Sequence, residues 1–205
     1  MENSSNQTPP SSQNSNSKRK RTLIYALIGI IIVAGVIGGL AYFVSIPPKK
    51  PEPNTSALFV GAFATYSGQT TVMGQTVTTT LQQEVVNLTS TQFEVSISLS
   101  IDSFINLYKY QNTTWLSLGD PTFHVDNLTL ISKSESNVTF PVIGTRDCII
   151  YDYNFSPNSN LEGTITVYSD KNLGWAYKFD CSFTAEGMTI NIELPLQDTN
   201  VPGLK

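Results

Sequence analysis

The segment Gln92–Asp102, QFEVSISLSID, decides the fold class because its apolar and polar side chains alternate one by one. Successive side chains of a β-strand point to opposite faces, so a period of two predicts a strand with one buried face and one solvent face. The segment Met188–Leu196 near the C-terminus repeats the pattern. The apolar positions of the two segments are Phe93, Val95, Ile97, Leu99 and Ile101, then Met188, Ile190, Ile192, Leu194 and Leu196.

Further strand-like segments fill most of residues 56–205. They are Ala57–Ser67, Gln75–Asn87, Phe104–Tyr110, Thr113–Leu118, Asp126–Lys133, Asp147–Phe155, Gly163–Tyr168 and Trp175–Thr184. Turn-forming residues such as Ser67-Gly68 separate them, and no stretch of this region has a helical period. We therefore predict an all-β domain over residues 56–205, an antiparallel sandwich or a strongly curved sheet of about 8–10 strands. The first strands and the last strands should each form consecutive hairpins.

One transmembrane helix is predicted before this domain. Residues 22–46, TLIYALIGIIIVAGVIGGLAYFVSI, contain no charged side chain. About 20 apolar residues in a helix span the hydrocarbon core of a bilayer. A cleaved signal peptide has a shorter apolar region of about 7–15 residues. The run is therefore typical of a retained signal-anchor that binds the lipid bilayer.

The basic residues beside this run predict its orientation. Lys18–Arg21 precede it, whereas only Lys49 and Lys50 follow it closely. Basic residues are held on the cytoplasmic side of a membrane. We therefore expect a single-pass protein of the cell membrane, with a cytoplasmic N-terminus and an extracellular C-terminal domain.

The segments on either side of the helix have compositions that do not form a core. Residues 1–21 are rich in Ser, Asn and Gln and end in the basic cluster, which is typical of a disordered tail. Residues 47–55 are rich in proline, which favours an extended spacer between membrane and domain.

Small residues within residues 22–46 indicate a helix-pairing face. Gly35 and Gly39 are four positions apart and lie on the same side of a helix, which allows two helices to approach closely and predicts a homodimer. Another interpretation is a pilin-type leader with its junction at Arg21-Thr22-Leu23, so that the mature chain would start at Leu23 and its helix would pack into a filament.

The charge of the domain argues against nucleic-acid binding. Beyond Asn54 the chain has six basic and fourteen acidic residues. Affinity for DNA or RNA comes largely from Lys and Arg at the phosphates, so an acidic domain is repelled. An envelope protein or a glycan is the expected kind of partner.

The two cysteines allow two readings. Export from the cytoplasm favours a disulfide between Cys148 and Cys181. Consecutive hairpins would place Cys148 opposite Tyr168 and Cys181 opposite Glu162, too far apart for a bond that needs Cα atoms within about 7 Å. The sequence leaves both alternatives open.

Sequons of the form Asn-x-Ser/Thr are more frequent than composition predicts, and several fall at predicted turns. In an exported domain they predict a glycoprotein. The candidate sites are Asn54, Asn87, Asn112, Asn127, Asn137 and Asn154.

Catalytic motifs are missing from the sequence. The single histidine, His124, has scattered aspartates nearby, and no nucleophile elbow, phosphate loop or Cys cluster occurs. We therefore expect no catalytic residue, no metal and no cofactor. Five aromatic residues could form a sugar-stacking platform, but such residues more often fill a β core: Trp115, Tyr151, Tyr153, Trp175 and Tyr177.

Three functional hypotheses follow. The first is a membrane-anchored extracellular β domain with a non-catalytic binding or cell-envelope role. The second is a pilin-like or envelope-layer structural subunit. The third is an extracellular hydrolase, because paired carboxylates can come from any part of a fold.

Overall fold

The computed structural model describes residues 58–72, 74–102, 107–117, 128–158, 161–185 and 188–205. The predicted tail, transmembrane helix and spacer lie outside these residues, as do Gly35, Gly39, Asn54, His124 and Asn127. The part of the chain that the structure describes has no helix of the length and apolarity needed to cross a membrane.

Within the described residues, nine antiparallel strands form one sheet that is not closed, in the order β4-β3-β2-β1-β9-β8-β7-β6-β5. This confirms the all-β prediction and the strand number. The strands are β1 (Phe63–Val72), β2 (Gln75–Leu88), β3 (Gln92–Asp102), β4 (Leu107–Ser117), β5 (Leu128–Phe140), β6 (Gly144–Asn158), β7 (Leu161–Asp170), β8 (Ala176–Ala185) and β9 (Met188–Thr199).

One face of the central strands forms the core. The alternating residues of β3, from Phe93 to Ile101, are each at most 4% exposed, as predicted. In β9 the residues from Ile190 to Leu196 follow the same alternation and are equally buried. The period of two in the sequence therefore corresponds to the burial of one face.

The sheet consists of two runs of hairpins joined by β1 and β9. β9 pairs with β8 through its first part, and its end pairs with β1, where Leu196 lies opposite Tyr66. The side chain of Asn200 stabilises this junction through two hydrogen bonds. Its oxygen accepts the N–H of Phe63, and its amide nitrogen donates to the carbonyl of Gly61. The predicted hairpins at both ends of the domain are thus confirmed, and the join between them is a long-range pairing.

Several predicted strand bounds differ from the structure, and three of them have a common cause. Ser67-Gly68 lies inside β1, and the chain turns at Gly74, which has a φ of 77°. The segments Phe104–Tyr110 and Thr113–Leu118 are replaced by one strand, β4. β5 continues to Phe140, seven residues beyond the predicted end. In each case polar residues within a strand resembled a turn, and pairing with a neighbouring strand overrides that local preference.

Gly68 lies where β1 packs closely against β9, and this position has no room for a side chain. A Cβ atom at this position would lie 1.8 Å from the carbonyl oxygen of Glu193. The strand can approach its neighbour this closely only without a side chain.

In the part of the chain that the structure describes, β4 and β5 are the two edges of the sheet. All eight neighbouring pairs of strands are antiparallel. The direction therefore reverses an even number of times from one edge to the other, and β4 and β5 run in the same direction.

Candidate functional site

The edge strand β5 differs from the interior strands because both of its faces are exposed, and β4 is mostly exposed, with Tyr110 and Thr114 half-buried. On β5 every residue from 129 to 137 is exposed, although its neighbour β6 alternates between buried and exposed. Seven large apolar side chains are exposed among the described residues, and four of them lie on the edge strands: Leu107 and Trp115 on β4, Leu130 and Ile131 on β5. An unpaired strand that exposes apolar side chains is a ready partner for another chain.

The middle of β5 carries two opposite charges that share one face. The Lys133 ammonium lies 5.3 Å from the centre of the Tyr151 ring, a cation–π contact with β6. Glu135 forms an ion pair with Lys171, with 2.5 Å between Nζ and Oε2. The hydrogen bond from Lys171 and its charge hold the pKa of Glu135 below its usual value, so the carboxylate stays ionised. Both side chains are about half exposed, so solvent screens the pair and its effect on stability is small.

On the other face of β5, hydrogen bonds to Asp152 of β6 hold the strand to the sheet. This carboxylate accepts the hydroxyl of Ser132 at 2.6 Å and the hydroxyl of Thr166 at 2.7 Å. Its two oxygens are therefore engaged by β5 and β7, one on each side of β6. The acidic residue has a structural role in positioning the edge strand.

A polar depression of about 230 Å³ lies beside β5 and includes Cys148 and Asp147. Burial, followed by the charges of Asp170 and Asp147, raises the pKa of the Cys148 thiol to about 11. A thiol acts as a nucleophile in its deprotonated form, and the raised pKa keeps Cys148 mostly protonated at neutral pH.

Asp170 at the end of β7 is buried, and both of its carboxylate oxygens accept hydrogen bonds. One oxygen accepts the N–H groups of Asn172 and Leu173, and the other accepts the hydroxyl of Tyr177. These contacts shape the turn into β8. Among the described residues, no group of three or more His, Cys, Asp or Glu side chains could hold a metal ion.

The two cysteines are free and buried. Cys148 lies opposite Asp170 of β7, and Cys181 lies opposite Ile165 of the same strand. Five residues separate these positions along β7, about 16 Å at the rise of a strand. That distance is too large for a disulfide. The pairing expected from consecutive hairpins also separates the thiols, but the observed partners lie two and three positions from the predicted Tyr168 and Glu162.

The described sequons are accessible. Asn87, Asn112, Asn137 and Asn154 are all exposed. Asn112 lies on β4 and Asn137 on β5, so two of these sites are on the edge strands. Glycosylation itself stays a prediction.

Four of the five aromatic residues are core residues, as expected for a β core. Tyr151, Tyr153, Trp175 and Tyr177 are each at most 7% exposed. Trp115 differs, since 45% of it is exposed on β4. The five residues therefore do not form one platform.

Sequence reasoning overlooked the free edges, although β5 contains a signal for them. Residues 132–136, SKSES, carry no apolar side chain on either face. A strand inside the sheet would need one apolar face, so such a segment fits only an edge.

Comparison with known protein families, with curated proteins and with solved structures finds no match to this chain. The candidate site is accordingly defined by the geometry of the described residues, and it consists of the edge strands β4 and β5.

Proposed function

We propose that the chain is a membrane-anchored surface protein whose β domain has a non-catalytic binding role and takes its partner at the free edges of the sheet. The observation that carries this proposal is the exposure of β5 on both faces together with the exposed apolar side chains of Leu130 and Ile131. β4 supports it with Leu107 and Trp115.

The binding mode is strand addition. An edge strand has a row of unpaired N–H and C=O groups, and an extended segment of a partner can complete the ladder. The backbone hydrogen bonds would supply affinity. Contacts with the exposed apolar side chains would supply selectivity.

The proposed location in the cell membrane rests on the sequence of residues 22–46 and of the residues on either side of them. The apolar, charge-free run would hold the protein in the cell membrane, and the basic cluster at Lys18–Arg21 would keep the N-terminus in the cytoplasm. The exposure of four sequon asparagines supports an extracellular domain, since a glycan needs an accessible side chain.

Photo-cross-linking tests the edge as the binding site. A photoreactive amino acid would replace Thr113 on β4 or Ser134 on β5 in the full chain, and irradiation of intact cells would follow. The matched control is Asn191, which is exposed but lies on the interior strand β9. We expect cross-linked adducts from an edge position and none from Asn191. Failure of both edge positions to cross-link would disprove binding at the edges.

A second candidate function, a structural subunit of an envelope layer, is favoured by the direction of the edges. Among the described strands, β4 and β5 lie unpaired at opposite ends of one sheet and run parallel, so β4 of one copy could pair with β5 of the next. A head-to-tail contact of this kind does not close and gives filaments or layers. Electron microscopy of the purified full chain would reveal such assemblies, and single particles at high concentration would argue against them.

A further inference from the structure

The sequence of β5 is nearly symmetric about its central residue, Ser134. The strand extends from Leu128 to Phe140, six residues on each side of this centre. Reading outward in both directions gives matching pairs at equal distances: Lys133 with Glu135, Ser132 with Ser136, Leu130 with Val138, and Thr129 with Thr139.

This symmetry matters because two antiparallel copies of one strand place such pairs opposite each other. When the copies are aligned at Ser134, Lys133 of each copy faces Glu135 of the other. Directly opposed side chains point to the same face, so opposite charges attract there and apolar residues pack together. The alignment therefore gives two attractive charge pairs.

We propose that β5 is a dimerisation strand, which pairs with β5 of a second copy of this chain in antiparallel register about a twofold axis at Ser134. The inference rests on the proposed function, since it names the partner that one of the two free edges takes. Both copies use the same surface, which makes the contact isologous and closed. β5 of each copy then becomes an interior strand, and β4 becomes the only type of edge in the described part of the dimer.

The existing contacts of β5 are compatible with this pairing. Glu135 already binds Lys171 of its own chain, but a carboxylate has room for several donors and can hold Lys133 of the second copy as well. Ser132 is fixed by Asp152 from the side of β6, which leaves the outer edge of the strand free. The register shift of β5 between Leu130 and Ser132 turns Leu130 to the face opposite Val138, so the symmetric pairing covers Ser132–Ser136.

β4 has no comparable symmetry. Its central residue is Asn112, and alignment of two copies there would place Lys109 opposite Trp115 and leave no pair of opposite charges. The charges that complement each other are thus confined to β5, which selects this edge for self-association.

Charge reversal tests the pairing in the full chain, purified in detergent. Lys133→Glu puts two glutamates opposite each other, and Glu135→Lys puts two lysines opposite each other. We expect each variant alone to dissociate about tenfold more readily than the original chain, by analytical ultracentrifugation. A mixture of the two variants should recover the dimer, because each reversed charge then faces its opposite. Recovery also shows that both variants are folded.

Cysteine cross-linking tests the register. Ser134→Cys lies on the twofold axis and should form an intermolecular disulfide under mild oxidation, since its partner is within reach. Ser132→Cys is the matched control, because its counterpart in the second copy is displaced by four residues. The native thiols are buried and will not interfere.

A dimer that persists in both single charge variants, or a Ser134→Cys chain that does not cross-link, would overturn the proposal. Such a result would not disprove the proposed function, because photo-cross-linking from Ser134 to a different chain would still establish binding at the edge. A dimer held together through residues 22–46 would persist in both charge variants, and helix pairing would then explain it.

Discussion

Tyr66 on β1 donates its hydroxyl to the backbone carbonyl of Ala176 at the start of β8, at 3.0 Å. β9 lies between these two strands in the sheet, so the side chain connects the two runs of hairpins across the core. The Tyr66 ring also packs edge-on against Phe179, with 4.8 Å between ring centres. Its hydroxyl is fully buried, and burial raises its pKa well above the ordinary value.

We expect Tyr66→Phe to destabilise the domain by about 1 kcal/mol, because the Ala176 carbonyl loses a buried donor while the ring remains in place. Urea unfolding of the full chain measures this change. Tyr110→Phe is the matched control, since Tyr110 is only half-buried and should cost less than about 0.5 kcal/mol. Equal effects of the two substitutions would contradict the role of the hydrogen bond.

Gly68→Ala should be more destabilising, by about 1–3 kcal/mol, because its Cβ would meet the carbonyl oxygen of Glu193 at 1.8 Å. The strands β1 and β9 would have to move apart. Thr71→Ala, at an exposed position of the same strand, provides the control and should change stability by less than about 0.5 kcal/mol. An unchanged unfolding free energy for Gly68→Ala would show that the strands are not in close contact.

Alkaline pH should destabilise the fold through Cys148. Folding raises the pKa of this thiol from 9.0 to about 11, so the folded state favours the protonated form. The contribution is complete below pH 9 and is lost as the pH rises towards 11. Cys148→Ala removes this titration, so its unfolding free energy should fall less steeply between these pH values. Identical pH profiles for the two chains would refute the prediction.

Labelling from outside tests the proposed orientation. A membrane-impermeant maleimide added to intact cells should modify Asn191→Cys on the exposed face of β9. Ser11→Cys, in the predicted cytoplasmic tail, should react only after the cells are permeabilised. The buried native thiols give little background because burial raises the pKa of both. The reverse labelling pattern would mean that the domain faces the cytoplasm.

Strands with a clear period of two could be predicted from the sequence, and strands with polar stretches could not. β3 and β9 alternate without interruption, so their buried faces and the bounds of β3 followed from the residue pattern, whereas β9 continues three residues beyond the predicted end at Leu196. β4 and the second half of β5 contain Asn, Gln, Ser and Thr on both faces, and these residues are also typical of turns. Their strand structure depends on pairing with β3 and β6, which local propensity does not encode.

The candidate site was hidden for the same reason. The residues Leu107, Leu130 and Ile131 look like ordinary strand residues, and their exposure depends on which strands lie at the ends of the sheet. The sequence predicted the separation of Cys148 and Cys181 only under the hairpin interpretation, because a hairpin fixes which residues face each other.

The sequence by itself determined the all-β class, the hairpin order within each run and the buried faces of the central strands, because all three depend on residues close in the chain. Only the tertiary structure decided that β1 pairs with β9 and that β4 and β5 remain as free edges. Tyr66 and Ala176 are far apart in the chain, and the pairing of distant strands is a competition among many alternatives that local patterns do not rank. Long-range pairing therefore decided which strands lie at the edges of the sheet.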